Sequence, residues 1–171
     1  VRFNPEANCD DLDGLALNTL SGGGLNGKGR SIDVVNDGKI FFALDDFGTL
    51  GKFNAVTPND IDGIVYETKV TFSSVSLLGD SAVESVAFNR DGTKLYTLSA
   101  SATKRELTTF SLPGPFDISS LTEIHQVDYF DLGVINDTDI NERGNGIEFN
   151  QDGSAMFLLI GNYNESGDEG V

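Results

Sequence analysis

The chain has 171 residues, with 27 acidic against 11 basic side chains and a net charge of −16. That balance argues against nucleic acid and anionic membrane as partners, since both call for a basic surface. It suits an exposed, self-repelling surface or one that binds divalent cations. The single cysteine, Cys9, excludes an internal disulfide, and no apolar run is long enough to span a bilayer as a helix.

Residues 1–28 open with Val1, Arg2, Phe3 and Asn4, then Asp11, Leu12, Asp13, Gly14 and Leu15. The pair of segments matches 51–54 and 60–64 further on, so 1–28 reads as the second half of a repeated unit ending in a glycine-rich loop. Within that loop Gly22–Lys28 fits G-x-x-x-x-G-K, but Gly29 stands where a Ser or Thr should hold magnesium, and a strand pattern follows where a helix should. A connector is the better reading. Asp10, Asp11 and Asp13 align with Asp60 and Asp62 and read as a repeated turn.

Residues 29–79 form the first complete unit. An alternating strand at 31–35 meets a turn at Asn36, Asp37 and Gly38; strands follow at 39–44, 50–54 and 66–72. Residues 80–136 repeat the order with more regular spacing. The strand 83–88 turns at Asn89, Arg90, Asp91 and Gly92; strands at 94–98 and 106–112 follow; Pro113, Gly114 and Pro115 end the third, and a fourth lies near 124–130. Residues 137–171 carry only the first half, a strand into the turn at Gly153 and then 155–160. The turn glycines Gly38, Gly92 and Gly153 lie 54 and 61 residues apart (92 − 38 and 153 − 92). Four short strands per unit at such a period predict an all-β fold of four-stranded antiparallel β-propeller blades, two complete and two half-blades at the termini. Phe88, Leu95, Tyr96, Leu98, Phe110, Val34, Phe41, Leu44, Phe149, Phe157 and Leu159 are expected to pack between blades.

Residues 88–96 read F-x-x-D-G-T-K-x-Y and 112–119 read L-x-x-P-F-D-I-S. These blades resemble a β-propeller repeat family of bacterial surface proteins and marine phage tail or virion proteins. The match is loose over 31–61 and covers the first half of the pattern over 146–160. The resemblance implies the fold; the family is functionally mixed and brings no catalytic motif, and an extracellular or virion-surface location is the expectation. Three blade equivalents do not close a ring. The expectation is therefore completion of the half-blades by protein subunits, in a homo-oligomer, a filament or a longer chain.

No catalytic or cofactor-binding constellation is expected. His125, the only histidine, falls on an outermost strand, away from any central channel. Asp137, Asp139 and Asn141, with Glu148 at the twelfth position, have the oxygen-ligand spacing of a calcium loop, but Glu142 replaces the glycine of its sharp turn. Calcium is the one cofactor candidate. The loops feeding the innermost strands should present Arg30, Glu84, Arg143 and Asn145 for ligand or partner contact, and divergent loops at 45–49, 99–105 and 162–170 add variable surface. The expected function is a non-enzymatic structural and recognition module, contacting protein subunits or a surface glycan. The alternative is a secreted glycan- or ester-cleaving propeller enzyme using Asp33, Glu84 and Glu148 at the channel.

Overall fold

The structure, a computed structural model, describes residues 25, 29–60, 64–72, 82–100, 105–128, 131, 142–150 and 152–162. Ten strands fill most of them. β1 (Gly29–Val35), β2 (Ile40–Asp45), β3 (Thr49–Ala55) and β4 (Ile64–Thr71) form one antiparallel sheet in chain order. β5 (Ala82–Phe88), β6 (Lys94–Ala100), β7 (Arg105–Ser111) and β8 (Thr122–Asp128) form a second. β9 (Glu142–Phe149) and β10 (Met156–Asn162) form a two-stranded third. The expected half-blade over 1–28 lies outside the described residues apart from Leu25.

The sheets stack face to face, with β1 against β5 and β5 against β9, so the first strands of the three units lie side by side. Alternation decides which residues fill each junction. Phe42, Leu44, Leu50 and Phe72 of the first unit meet Val86, Phe88, Leu95 and Phe110 of the second in one buried cluster. Phe42 stacks on Phe88 with ring centroids 4.1 Å apart. The opposite face of the second unit gives Ala87, Leu98 and Leu107 to a cluster with Ile147, Phe149, Met156 and Leu158 of the third. Phe41 and Phe53 point the other way and pack with Leu25.

Three residues expected between blades are not buried there. Val34 is 46% exposed, Phe157 60% and Leu159 64%. They lie on the outer faces of the first and third sheets, where period two turns every second side chain away from the middle sheet. The segment 45–49, expected to add variable surface, is a short turn that leaves Phe47 66% exposed. Asp45 is 1% exposed, and its carboxylate accepts the amides of Phe47 and Thr49, closing a tight turn between β2 and β3.

The D-G turn and the P-x-D segment, distant in sequence, prove to be one device. The amide of Phe116 donates to the Gly92 carbonyl at 2.7 Å, and that of Asn59 donates to the Gly38 carbonyl at 2.8 Å. Phe116 and Asn59 both adopt left-handed backbone (φ 58° and 62°). For phenylalanine this is costly, and it brings the ring over Gly92 and to within 5.9 Å (centroid to centroid) of Phe88. A Cβ on Gly92 would lie 2.7 Å from the Phe116 ring, and Gly92 itself has φ +69°. Gly92→Ala is expected to cost about 2 kcal/mol or more in urea unfolding, part from the backbone and part from displacing a packed ring. Gly38→Ala should cost less, because the exposed Asn59 amide that it meets can swing aside. Equal costs would show that Phe116 does not lock the turn.

Candidate functional site

Among the described residues, the first strands β1, β5 and β9 each have one edge without a strand partner, so backbone groups there need other partners. Side chains of the preceding unit supply several. The Ser31 hydroxyl lies 3.5 Å from the amide of Val86 and the Ser85 hydroxyl 3.2 Å from that of Ile147. Ser31 and Ser85 are 54 residues apart, and their hydroxyls approach to 3.3 Å. The amide of Phe88 donates to Asp33 at 3.0 Å. Sequence reasoning missed the two serines. Their identical place in the repeat was the available signal.

Each of these strands also carries one irregularity. Pairing slips between Gly29 and Ser31, between Val83 and Ser85, and between Gly144 and Gly146 opposite Leu159 and Ile160. The residues passed over are Arg30, Glu84 and Asn145, which occupy one repeat position (84 − 30 = 54; 145 − 84 = 61). A bulge re-aims one side chain out of the pleat. Here it puts a cation, an anion and an amide at matching positions on neighbouring strands. Arg30 Nη1 lies 2.7 Å from Glu84 Oε2, bridging two units, with side chains 42% and 10% exposed. Asn145 is exposed. Three of the four candidate contact residues therefore sit on strand bulges rather than in the loops expected to carry them. Arg143 lies on β9 opposite Gly161.

Because Glu84 is mostly buried and Arg30 is not, the pair is asymmetric. Arg30→Ala leaves a desolvated carboxylate behind, and is expected to cost about 1–2 kcal/mol. Glu84→Gln should cost about 1 kcal/mol or less, since only a largely solvated guanidinium loses its partner. Urea unfolding of both variants checks the order; a larger loss for Glu84→Gln would reverse the assignment.

The three carboxylates proposed for hydrolysis part company. Glu84 is held by Arg30. Asp33 has its pKa raised from 3.8 to about 6, chiefly by burial and secondarily by the charge of Glu148, while the Phe88 amide pulls the other way. Glu148 is exposed on β9 opposite Phe157, and its carboxylate accepts the Phe149 amide at 3.2 Å. The other three members of the calcium candidate, Asp137, Asp139 and Asn141, lie outside the described residues, as do Cys9, Asp10, Asp11, Asp13 and all of 22–28 except Leu25. His125 is exposed on β8 opposite Thr109.

Antiparallel sheets, each running outward from a first strand and stacked so that those first strands adjoin, define a stack of β-propeller blades. No family model matches the chain, and no curated protein does. Among solved structures it is similar to a candidate 6-phosphogluconolactonase from Bacteroides uniformis, at 14% identity and TM-score 0.49 over 82% of this chain and 37% of that one. It is also similar to the β-propeller domain of Myceliophteria thermophila Cps50 (Swd1), at 17% identity and TM-score 0.42 over 80% of this chain. The chain spans 37% of the length of each of these structures.

Proposed function

We propose that the chain is a non-enzymatic structural and recognition module of an extracellular or virion assembly, contacting protein subunits or a surface glycan through the bulge row. The observation that supports this is the repeated bulge. Three rigid strands aim Arg30, Glu84 and Asn145 from one repeat position, alternating hydrogen-bond donors and acceptors on a fixed frame. Such a row suits the hydroxyls of a glycan or the polar groups of a protein loop better than it suits bond cleavage, since it holds no nucleophile beside a base. Titration with a panel of soluble bacterial polysaccharides tests the reading. Binding that falls at least tenfold in Asn145→Ala supports it; binding indifferent to Asn145→Ala and Arg30→Ala overturns the assignment of the row. A calcium contribution through Asp137, Asp139, Asn141 and Glu148 predicts a higher melting temperature with calcium than with chelator, and equal temperatures remove it.

A second reading, a glycan- or ester-cleaving enzyme, draws on Asp33. A carboxyl held near pH 6 beside a second carboxylate is the pairing that acid–base hydrolysis uses. Turnover of aryl glycosides or aryl esters that disappears in both Asp33→Asn and Glu148→Gln would establish it; no turnover by the parent chain across pH would remove it.

A further inference from the structure

Among the described residues, the outer face of the third sheet and the β1 end of the outer face of the first carry exposed apolar side chains, and the two match each other. In both blade junctions of the structure, the leading face of one unit meets the trailing face of the next. The leading face presents Phe42 and Leu44 in the first unit and Tyr96 and Leu98 in the second. Adding 61 to the latter pair gives Phe157 and Leu159, which are 60% and 64% exposed. The trailing face presents Val86 and Phe88 in the second unit and Ile147 and Phe149 in the third. Subtracting 54 from the former pair gives Ile32 and Val34, which are 64% and 46% exposed. Leu25 already shields Phe41 and Phe53, so the open part of that trailing face is the β1 end.

We infer that these faces dock head to tail between two copies of this chain, Phe157 and Leu159 of one against Ile32 and Val34 of the next, continuing the blade junction seen twice within the chain. A second copy is the occupant because this one chain carries both halves of the junction, in the registers that already fit. The backbone contacts carry over as well. Glu148 holds the repeat position of Asp33 (33 + 54 + 61 = 148), whose carboxylate takes the Phe88 amide across a junction. At the new junction Glu148 faces the amide of Val34 of the next copy. Gly146, at the position of Ser31 and Ser85, supplies no hydroxyl there. The junction is heterologous, so it grows into a ring if the rotation closes and a fibre if it does not. Two copies place six sheets in one stack (2 × 3), within the range of about four to eight that propellers use. This surface is separate from the bulge row, so either can fail without the other.

Sedimentation and light scattering of the 171-residue chain, over about a hundredfold range of concentration, test it with two variants. Phe157→Asp/Leu159→Asp spoils the leading face and Ile32→Asp/Val34→Asp the trailing face; all four positions are exposed, and circular dichroism confirms that each variant is folded. The parent chain should associate and each variant alone should be monomeric. An equimolar mixture should give one heterodimer that grows no further, since only one pair of intact faces remains. A parent chain monomeric throughout overturns the inference. So does an oligomer that survives either variant, which marks a contact of like faces, or a mixture that stays monomeric.

Discussion

Phe42→Ala should lower unfolding free energy by about 3–5 kcal/mol, the range for removing a fully buried phenylalanine. Phe42 is 0% exposed, stacks on Phe88 with its ring tilted by 27°, and shares a cluster with Leu44, Leu50, Phe72 and Phe110. Its neighbours belong to two sheets, so the cavity opens at a junction that neither sheet can close alone. Urea unfolding at neutral pH gives the value. The control is Phe157→Ala, at the same repeat position but 60% exposed, which should stay within about 0.5 kcal/mol for the monomer. A loss below about 1 kcal/mol for Phe42→Ala would mean that the first two blades do not share a core.

Asp33→Asn should stabilise the protein at pH 7–8 by about 2–3 kcal/mol and flatten its pH profile. The sign follows from the shift. The carboxyl titrates near 6 in the folded chain against an ordinary 3.8, so the folded state holds this proton more tightly than the unfolded one. The favourable contribution is complete below about pH 4 and is lost as pH rises through 6. Asparagine removes the charge and still offers an oxygen to the Phe88 amide. Asp91, Asp117 and Asp152 behave oppositely. The hydroxyl and amide of Thr93, Ser119 and Ser154 respectively hold their pKa values below the ordinary one, so what they contribute is lost as pH falls below about 4. Glu67 moves the same way; burial works against it, but hydrogen bonds from Asn54 and Lys52 prevail. The parent chain should therefore be most stable between about pH 4.5 and 6, measured by thermal melts across pH. A parent optimum at pH 8 that Asp33→Asn leaves unchanged would contradict the burial of this carboxyl.

Strand order and turn chemistry were legible because both are local. The Asn–Asp–Gly turn at 36–38, the Asn–Arg–Asp–Gly turn at 89–92 and the alternation around them specify hairpins without reference to the rest of the chain. The repeated Asn89, Asp91 and Thr93 network, copied at Asn150, Asp152 and Ser154, shows how self-contained those turns are. The order of the repeat also put Arg30, Glu84, Arg143 and Asn145 at the entry to the first strands, whereas their place on bulges depended on strand register.

Composition, strand period, the unit length near 54–61 residues and the equivalence of positions between units were determined by the amino-acid sequence itself, since each rests on neighbours a few residues apart or on self-similarity. Tertiary structure alone decided which of two apolar faces on a strand is covered, and so left Phe157 open while burying Phe42 at the same repeat position. It decided that Arg30 pairs with Glu84, that Asp33 spans a junction and has its pKa raised by burial, and that Phe116 accepts a strained backbone to cover Gly92. Each of these depends on contacts between units tens of residues apart, and burial, charge pairing and strain are set by what lies across such a junction.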